Sequence, residues 1–176
     1  MCGIVALISL KPKVIEHLLG GLKQLQNRGY DSAGICTLNE DLNILKFAST
    51  DSEDSIKKLD KNKKNLKESN IGIAHTRWAT HGGKTDANSH PHVSYDNKIA
   101  LVHNGIIENF SELKLMLQKE GIQFRSQTDT EVIANLLAFY NKSCNSFEDA
   151  IKKTLSIMHG TWGLAIINLD EPNRLY

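Results

Sequence analysis

A chain of 176 residues that is 40% hydrophobic, with 21 basic against 20 acidic side chains, reads as one globular domain with room for a real core. A formal net charge of +1 leaves no electrostatic footprint for nucleic acid, and the Lys61-Asn62-Lys63-Lys64 cluster fits a solvated helix face. The apolar run 4–10 is too short for a membrane span and no basic segment precedes it, so a cytoplasmic location is expected.

Residues 2–10 are almost continuously apolar and predict a strand buried on both faces, ended by Lys11-Pro12. In 13–26, Val14, Ile15, Leu18, Leu19, Leu22 and Leu25 keep helical spacing, and the Gly20-Gly21 pair within it suggests close packing onto a sheet. A polar loop over 27–32 leads to two apolar stretches, 33–38 and 42–48, that flank Asn39-Glu40-Asp41 as a hairpin would. The charged segment 52–66 carries Ile56, Leu59 and Leu66 on one side and reads as a surface helix.

Residues 71–75 predict a short strand, followed over 76–97 by a long aperiodic loop rich in Arg, Trp and His, a composition that points to function. A strand over 98–103 ends in Asn104-Gly105, a dipeptide suited to a tight turn. Asn109 is placed to cap a helix over 110–120 that Gly121 stops, and Asp129 or Thr130 to start the next. Ser146 and Asp149 have capping-box spacing for a helix ending near Gly160, and 161–169 predict another buried strand. After the turn 170–173, Arg174-Leu175-Tyr176 resume as a partner strand would, which suggests a domain cut inside its own sheet. Strands outnumber single-helix crossovers, favouring an α+β sandwich over a doubly wound sheet.

Three cysteines, Cys2, Cys36 and Cys144, lack the spacing of a disulfide framework or a four-cysteine zinc site. Cys2 directly follows Met1, and loss of Met1 would give one residue both a thiol and an α-amine of pKa about 7.7–8.0, a nucleophile joined to a base. Taken alone, the same residue equally fits a small apolar side chain opening a buried strand. Five of the seven histidines lie between His75 and His103, but His90-Pro91-His92 matches no helical metal-ligand pair, so no metal is assigned. Activation of Cys2 by one of these rings is a further possibility, and nothing in the spacing selects a ring.

The remaining polar groups fall at the ends of predicted elements: Arg28-Gly29-Tyr30-Asp31, His75-Thr76-Arg77-Trp78-Ala79-Thr80-His81-Gly82, His103-Asn104-Gly105 and Thr128-Asp129-Thr130. With these motifs the chain resembles the N-terminal-nucleophile glutamine amidotransferases, and within them the glutaminase domain of the glucosamine-6-phosphate synthase family. The phosphoribosyl-pyrophosphate type shares the Cys-Gly start, an Arg-Gly loop and an Asn-Gly turn. Arg28 to Gly34, the Trp78-Ala79-Thr80-His81 continuation, Asn88-Ser89-His90-Pro91-His92 and Asn104-Gly105-Ile106-Ile107-Glu108-Asn109 point to the sugar enzymes.

The resemblance implies a four-layer αββα sandwich of mainly antiparallel sheets, of the N-terminal-nucleophile hydrolase type, formed by residues 1–176 and incomplete at its C-terminal end. It implies that Cys2 attacks the side-chain amide of L-glutamine to form a γ-glutamyl thioester and ammonia, while Asn104 and the Gly105 N–H hold the oxyanion. Arg77 would clamp the substrate α-carboxylate and Asp129 its α-ammonium group. Thr80 and His81 would line the pocket, Arg28 would order a loop beside the nucleophile, and Trp78 would gate the departure of ammonia. For each there is a plain structural role instead: a hairpin turn for Asn104-Gly105, a surface ion pair for Arg77, a helix cap for Asp129, core packing for Trp78. No cofactor is implied. In the parent enzymes a sugar-phosphate isomerase domain, absent here, receives the ammonia, and oligomerisation would run through such domains. The alternatives are the glutaminase of another amidotransferase, such as the phosphoribosyl-pyrophosphate type, or a catalytically silent binding or regulatory fragment.

Overall fold

The computed structural model describes residues 2–79 and 82–176. Its strands form two antiparallel sheets. In the first, β1 (Gly3–Ile8), β4 (Ile71–Arg77), β2 (Ser32–Leu38) and β3 (Leu42–Ala48) lie in the order β1-β4-β2-β3. In the second, β6 (Ile99–Ile107) lies between β5 (His92–Val93) and β7 (Gly160–Asn168).

Alternation along the strands sorts their side chains between layers. Ala33, Ile35 and Ala74 face outward beneath α1 (Val14–Gln24) and α2 (Ser55–Asn62), where Val14, Leu18, Leu22, Ile56 and Leu59 cover them. Cys36, Leu38, Ile71 and Ile73 face the other way and meet Ala100, Val102, Ala165 and Ile167 of the second sheet. The far face of that sheet, with Ile99, Leu101 and Ile166, packs on α3 (Phe110–Lys119), α4 (Asp129–Asn141) and α5 (Phe147–Ile157). The result is the four-layer αββα sandwich.

Several expectations need adjustment. β1 is an edge strand rather than one buried on both faces: Val5 and Leu7 pack under α1, but Ala6 and Ile8 are exposed, because the three-stranded second sheet does not extend over them. α2 is less superficial than its charge suggests, since Ile56 and Leu59, with Leu66 after it, are buried in the outer core, and Asp54 caps it by accepting from the Ile56 and Lys57 amides. The Gly20-Gly21 pair divides: a β-carbon on Gly21 would lie 2.8 Å from the Val5 methyls, whereas Gly20 faces open space. Asn109 stands at the start of α3 without capping it; its amide donates to the Ile157 carbonyl and accepts from the His159 amide, tying α3 to the α5–β7 link. Ser146 does cap α5 through the Asp149 amide.

The adjustment that matters for the site is in β6. The strand does not stop at His103 but continues through Asn104-Gly105 to Ile107, paired throughout with β7, so that Gly105 stands opposite Trp162. Asn104-Gly105 is therefore strand interior and not a turn. The dipeptide permits a turn, but nine residues of pairing to a strand whose partners lie 53 to 69 positions away in the chain hold it extended. Likewise Leu175 pairs with Ile167 beside β7, as the sequence after the 170–173 turn suggests.

Candidate active site

Three strand segments and one helix start converge at one end of the sandwich. Gly3 of β1 pairs with Thr76 of β4, which places Cys2 beside Arg77 and Trp78. The Cys2 sulfur accepts from the Trp78 amide at 3.2 Å and faces the Trp78 carbonyl at 3.6 Å. Asn104 of β6 donates its amide N–H to the Cys2 carbonyl at 3.2 Å, joining the two sheets across the site. Among the described residues the hydrogen bonds of the thiol go to backbone, and no histidine ring is among its partners.

Around these groups lies a cavity of about 600 Å³ whose walls include Cys2, Arg28, Arg77, Trp78, Asn104, Gly105 and Asp129. It thus brings together seven of the nine residues singled out in the sequence. The other two, Thr80 and His81, lie outside the described residues, as does Met1. Arg28 ends a short 3-10 turn (Gln26–Arg28) and is exposed at the cavity wall. Trp78 is 44% exposed and meets the Tyr30 ring edge-on at 5.2 Å, so it is not core packing.

Arg77 is buried, not a surface ion pair; burial lowers its pKa, and the charges of Cys2, Asp31 and Asp129 act against that. Asp129 is not the cap of α4. Thr128 holds that position and accepts from the Glu131 amide, leaving Asp129 as the first helical residue. Its carboxylate accepts from the Ile107 amide at 3.0 Å and lies 4.0 Å from His103 Nδ1. A carboxylate in the first turn of a helix is also favoured by the helix dipole.

Gly105 has φ +142°, and a β-carbon there would come within 2.0 Å of the Thr161 carbonyl oxygen, so any side chain would force β6 from β7 beside the nucleophile. Two further side chains hold the segments around the site in place. Asp31 anchors the segment after β4 by accepting from the Ala79 amide at 2.9 Å and pairing with Lys84 at 2.5 Å; burial opposes its ionisation, but these partners hold its pKa below the usual value. Lys46 donates to the carbonyls of Ala87, Ser89 and Pro91 and so fixes the loop that carries His90. Asp31 stands in the Arg28 to Asp31 motif without a role assigned to it there, Lys46 carries no sequence signal, and the role of each is visible only once the loop is folded against it.

The chain belongs to the glutamine amidotransferase domain family, whose model matches residues 49–168. It is 49% identical over its whole length to glutamine–fructose-6-phosphate aminotransferase (isomerizing) of Thermococcus kodakarensis, and 47% identical over its whole length to that of Pyrococcus horikoshii. It spans 29% of each of these relatives. Among solved structures, glutamine phosphoribosylpyrophosphate amidotransferase from B. subtilis superposes with a TM-score of 0.77 at 26% identity, covering 96% of this chain and 35% of that one. A structure of the allosteric regulatory enzyme of purine biosynthesis gives 0.80 at 27% identity, covering 96% and 36%. The chain has the N-terminal-nucleophile fold type expected from its sequence.

Proposed function

We propose that this chain hydrolyses L-glutamine to glutamate and ammonia, with Cys2 as nucleophile. The observation that carries this is the single cavity in which a thiol, an amide donor, a buried guanidinium and a carboxylate converge. Arg77 suits the substrate α-carboxylate, its planar fork giving two charge-assisted hydrogen bonds, and Asp129 suits the α-ammonium group. The Cys2 sulfur attacks the side-chain amide carbon, and the oxygen of that amide becomes an oxyanion held by the Asn104 amide and the Gly105 N–H. The C–N bond then breaks, the thiol proton leaves on ammonia by way of the Cys2 α-amine, and water hydrolyses the γ-glutamyl thioester to glutamate. The α-amine can take that part only once Met1 has been removed. Arg28 orders the segment at the cavity mouth, and Trp78 lies on the exit path for ammonia.

Within a longer protein this activity is the ammonia-supplying half of glucosamine-6-phosphate synthesis from fructose-6-phosphate, with a sugar-phosphate isomerase unit as the acceptor of ammonia. Identities of 47–49% to the sugar aminotransferases, against 26–27% to the two amidotransferase structures, favour this acceptor over phosphoribosyl pyrophosphate. Replacing Cys2 by alanine is expected to abolish glutamate release, followed by an enzymatic glutamate assay. Undiminished release by the variant refutes the mechanism.

A further inference from the structure

His75, His90 and His103 are all buried, and with Thr130 they form a line of hydrogen bonds that ends on Asn104. His75 Nε2 lies 2.8 Å from Asn104 Oδ1, and His75 Nδ1 lies 3.0 Å from His90 Nδ1. His90 Nε2 lies 2.8 Å from the Thr130 hydroxyl, and His103 Nδ1 lies 3.1 Å from the same hydroxyl. Nothing in the thioester chemistry uses these rings directly.

One acceptor fixes the direction of the line. The Cys2 carbonyl can only accept, so Asn104 must present its NH₂ there and its oxygen to His75. His75 therefore carries its proton on Nε2, and its bare Nδ1 accepts from a protonated His90 Nδ1. That leaves His90 Nε2 bare, to accept the Thr130 hydroxyl proton. His75 and His90 must each be neutral to offer one donor and one acceptor, and burial, the largest cause, holds His75 down to about 4 and His90 well below its ordinary value. If the line ran the other way, the Asn104 oxygen would face the Cys2 carbonyl oxygen 3.2 Å away, and Asn104 would turn no donor toward the Cys2 side of the site.

We infer that His75, His90 and Thr130 are positioning residues that fix which face of the Asn104 amide is turned toward Cys2, and so set the oxyanion donor before substrate arrives. The one hydroxyl proton of Thr130 goes to His90 Nε2, so the line ends at Thr130, which follows Asp129 in α4 and whose oxygen is left to accept from His103 Nδ1. The catalytic consequence rests on the proposed glutamine hydrolysis; the hydrogen-bond direction does not.

The two are tested separately. Nitrogen-15 NMR of the histidine rings in the substrate-free chain at pH 7 is expected to show His75 protonated on Nε2 and His90 on Nδ1; either ring in the other tautomer or charged overturns the inference, whatever the chain's activity. In the glutaminase assay, His75→Leu is expected to lower kcat about 100-fold, the order of losing one oxyanion donor, with KM within about threefold and the alkylation rate of Cys2 by iodoacetamide unchanged. His75→Gln, which can offer an N–H to Asn104, is expected to recover at least about tenfold of that. Equal kcat in the two variants, or a loss that sits in KM, overturns it. Should His75→Leu not fold, the near-isosteric Thr130→Val is expected to lower kcat and Thr130→Ser to recover most of it, and equal rates for that pair have the same meaning. A wild-type chain that releases no glutamate removes the proposed function and leaves the tautomer result to decide the inference.

Discussion

At the scale of single residues the site relies on side chains that serve the fold and the chemistry at once. Asp129 accepts the Ile107 amide with one carboxylate oxygen while lying in the cavity wall opposite Cys2. Asparagine at this position keeps an acceptor for that amide and removes the charge. Asp129→Asn is therefore expected to leave the thermal unfolding midpoint within a few degrees and to raise the KM for glutamine about 10- to 100-fold, the worth of one charge-assisted bond, with little change in kcat. Steady-state kinetics and a thermal melt check both parts. The identity of Asp129 as a site residue is legible from the Thr128-Asp129-Thr130 motif, but its place inside the first turn is not. Thr and Asp are both good caps, and which one sits at the boundary depends on Thr128 being held by Ser126 and His92 from outside the helix.

At the scale of elements the informative case is β6. Its strand character over 99–103 follows from the apolar run, while Asn104-Gly105 reads locally as a turn. Pairing with β7 overrides this, and Gly105 is kept for its positive φ and its approach to Thr161 rather than for a reversal of the chain. Gly105→Ala is expected to destabilise the fold by at least about 2 kcal/mol, seen as a lower urea midpoint, and to lower glutaminase activity beyond that, since the strained residue adjoins Asn104. An alanine variant with an unchanged midpoint contradicts the close approach. Elements whose signals are local fare better: the 39–41 hairpin, the Ser146 cap and the Gly121 stop, with φ +81°, all stand where the sequence places them. The two-residue strand β5 is too short to leave a periodic signal in the 76–97 stretch.

At the scale of the whole molecule, four separate segments (β4, the 88–92 loop, β6 and the start of α4) must meet to bury the histidine cluster. Its neutral rings face Lys46, Arg77 and Asp129, and burial is the main cause of their low pKa values. In the unfolded chain a histidine titrates near 6.5, and in the fold His75 does so at about 4. Between these values the unfolded state binds more protons, so stability is full above pH 6.5 and falls as the pH drops toward 4. His75 alone accounts for a loss on the order of 3 kcal/mol, and His90 and His92 add in the same direction. Urea unfolding from pH 7 to pH 4.5 is expected to show this decline, and His75→Gln, which does not titrate, to flatten it. A wild-type stability that holds constant over this interval refutes buried neutral rings.

The sequence by itself determined the class of fold, the order of nearly every element, and seven of the residues that meet in the cavity. It could do so because strand alternation, helical spacing and cap chemistry are short-range, and because several long motifs occur in one order. Only the tertiary structure decided that β1 lies at a sheet edge, that Asn104-Gly105 is strand rather than turn, and that Arg77 is buried. It also decided the direction of the hydrogen-bond line from Thr130 to Asn104, which is fixed by the Cys2 carbonyl from the opposite sheet. Each of these depends on a partner brought in from more than 50 to more than 100 residues away, and no local window contains that partner.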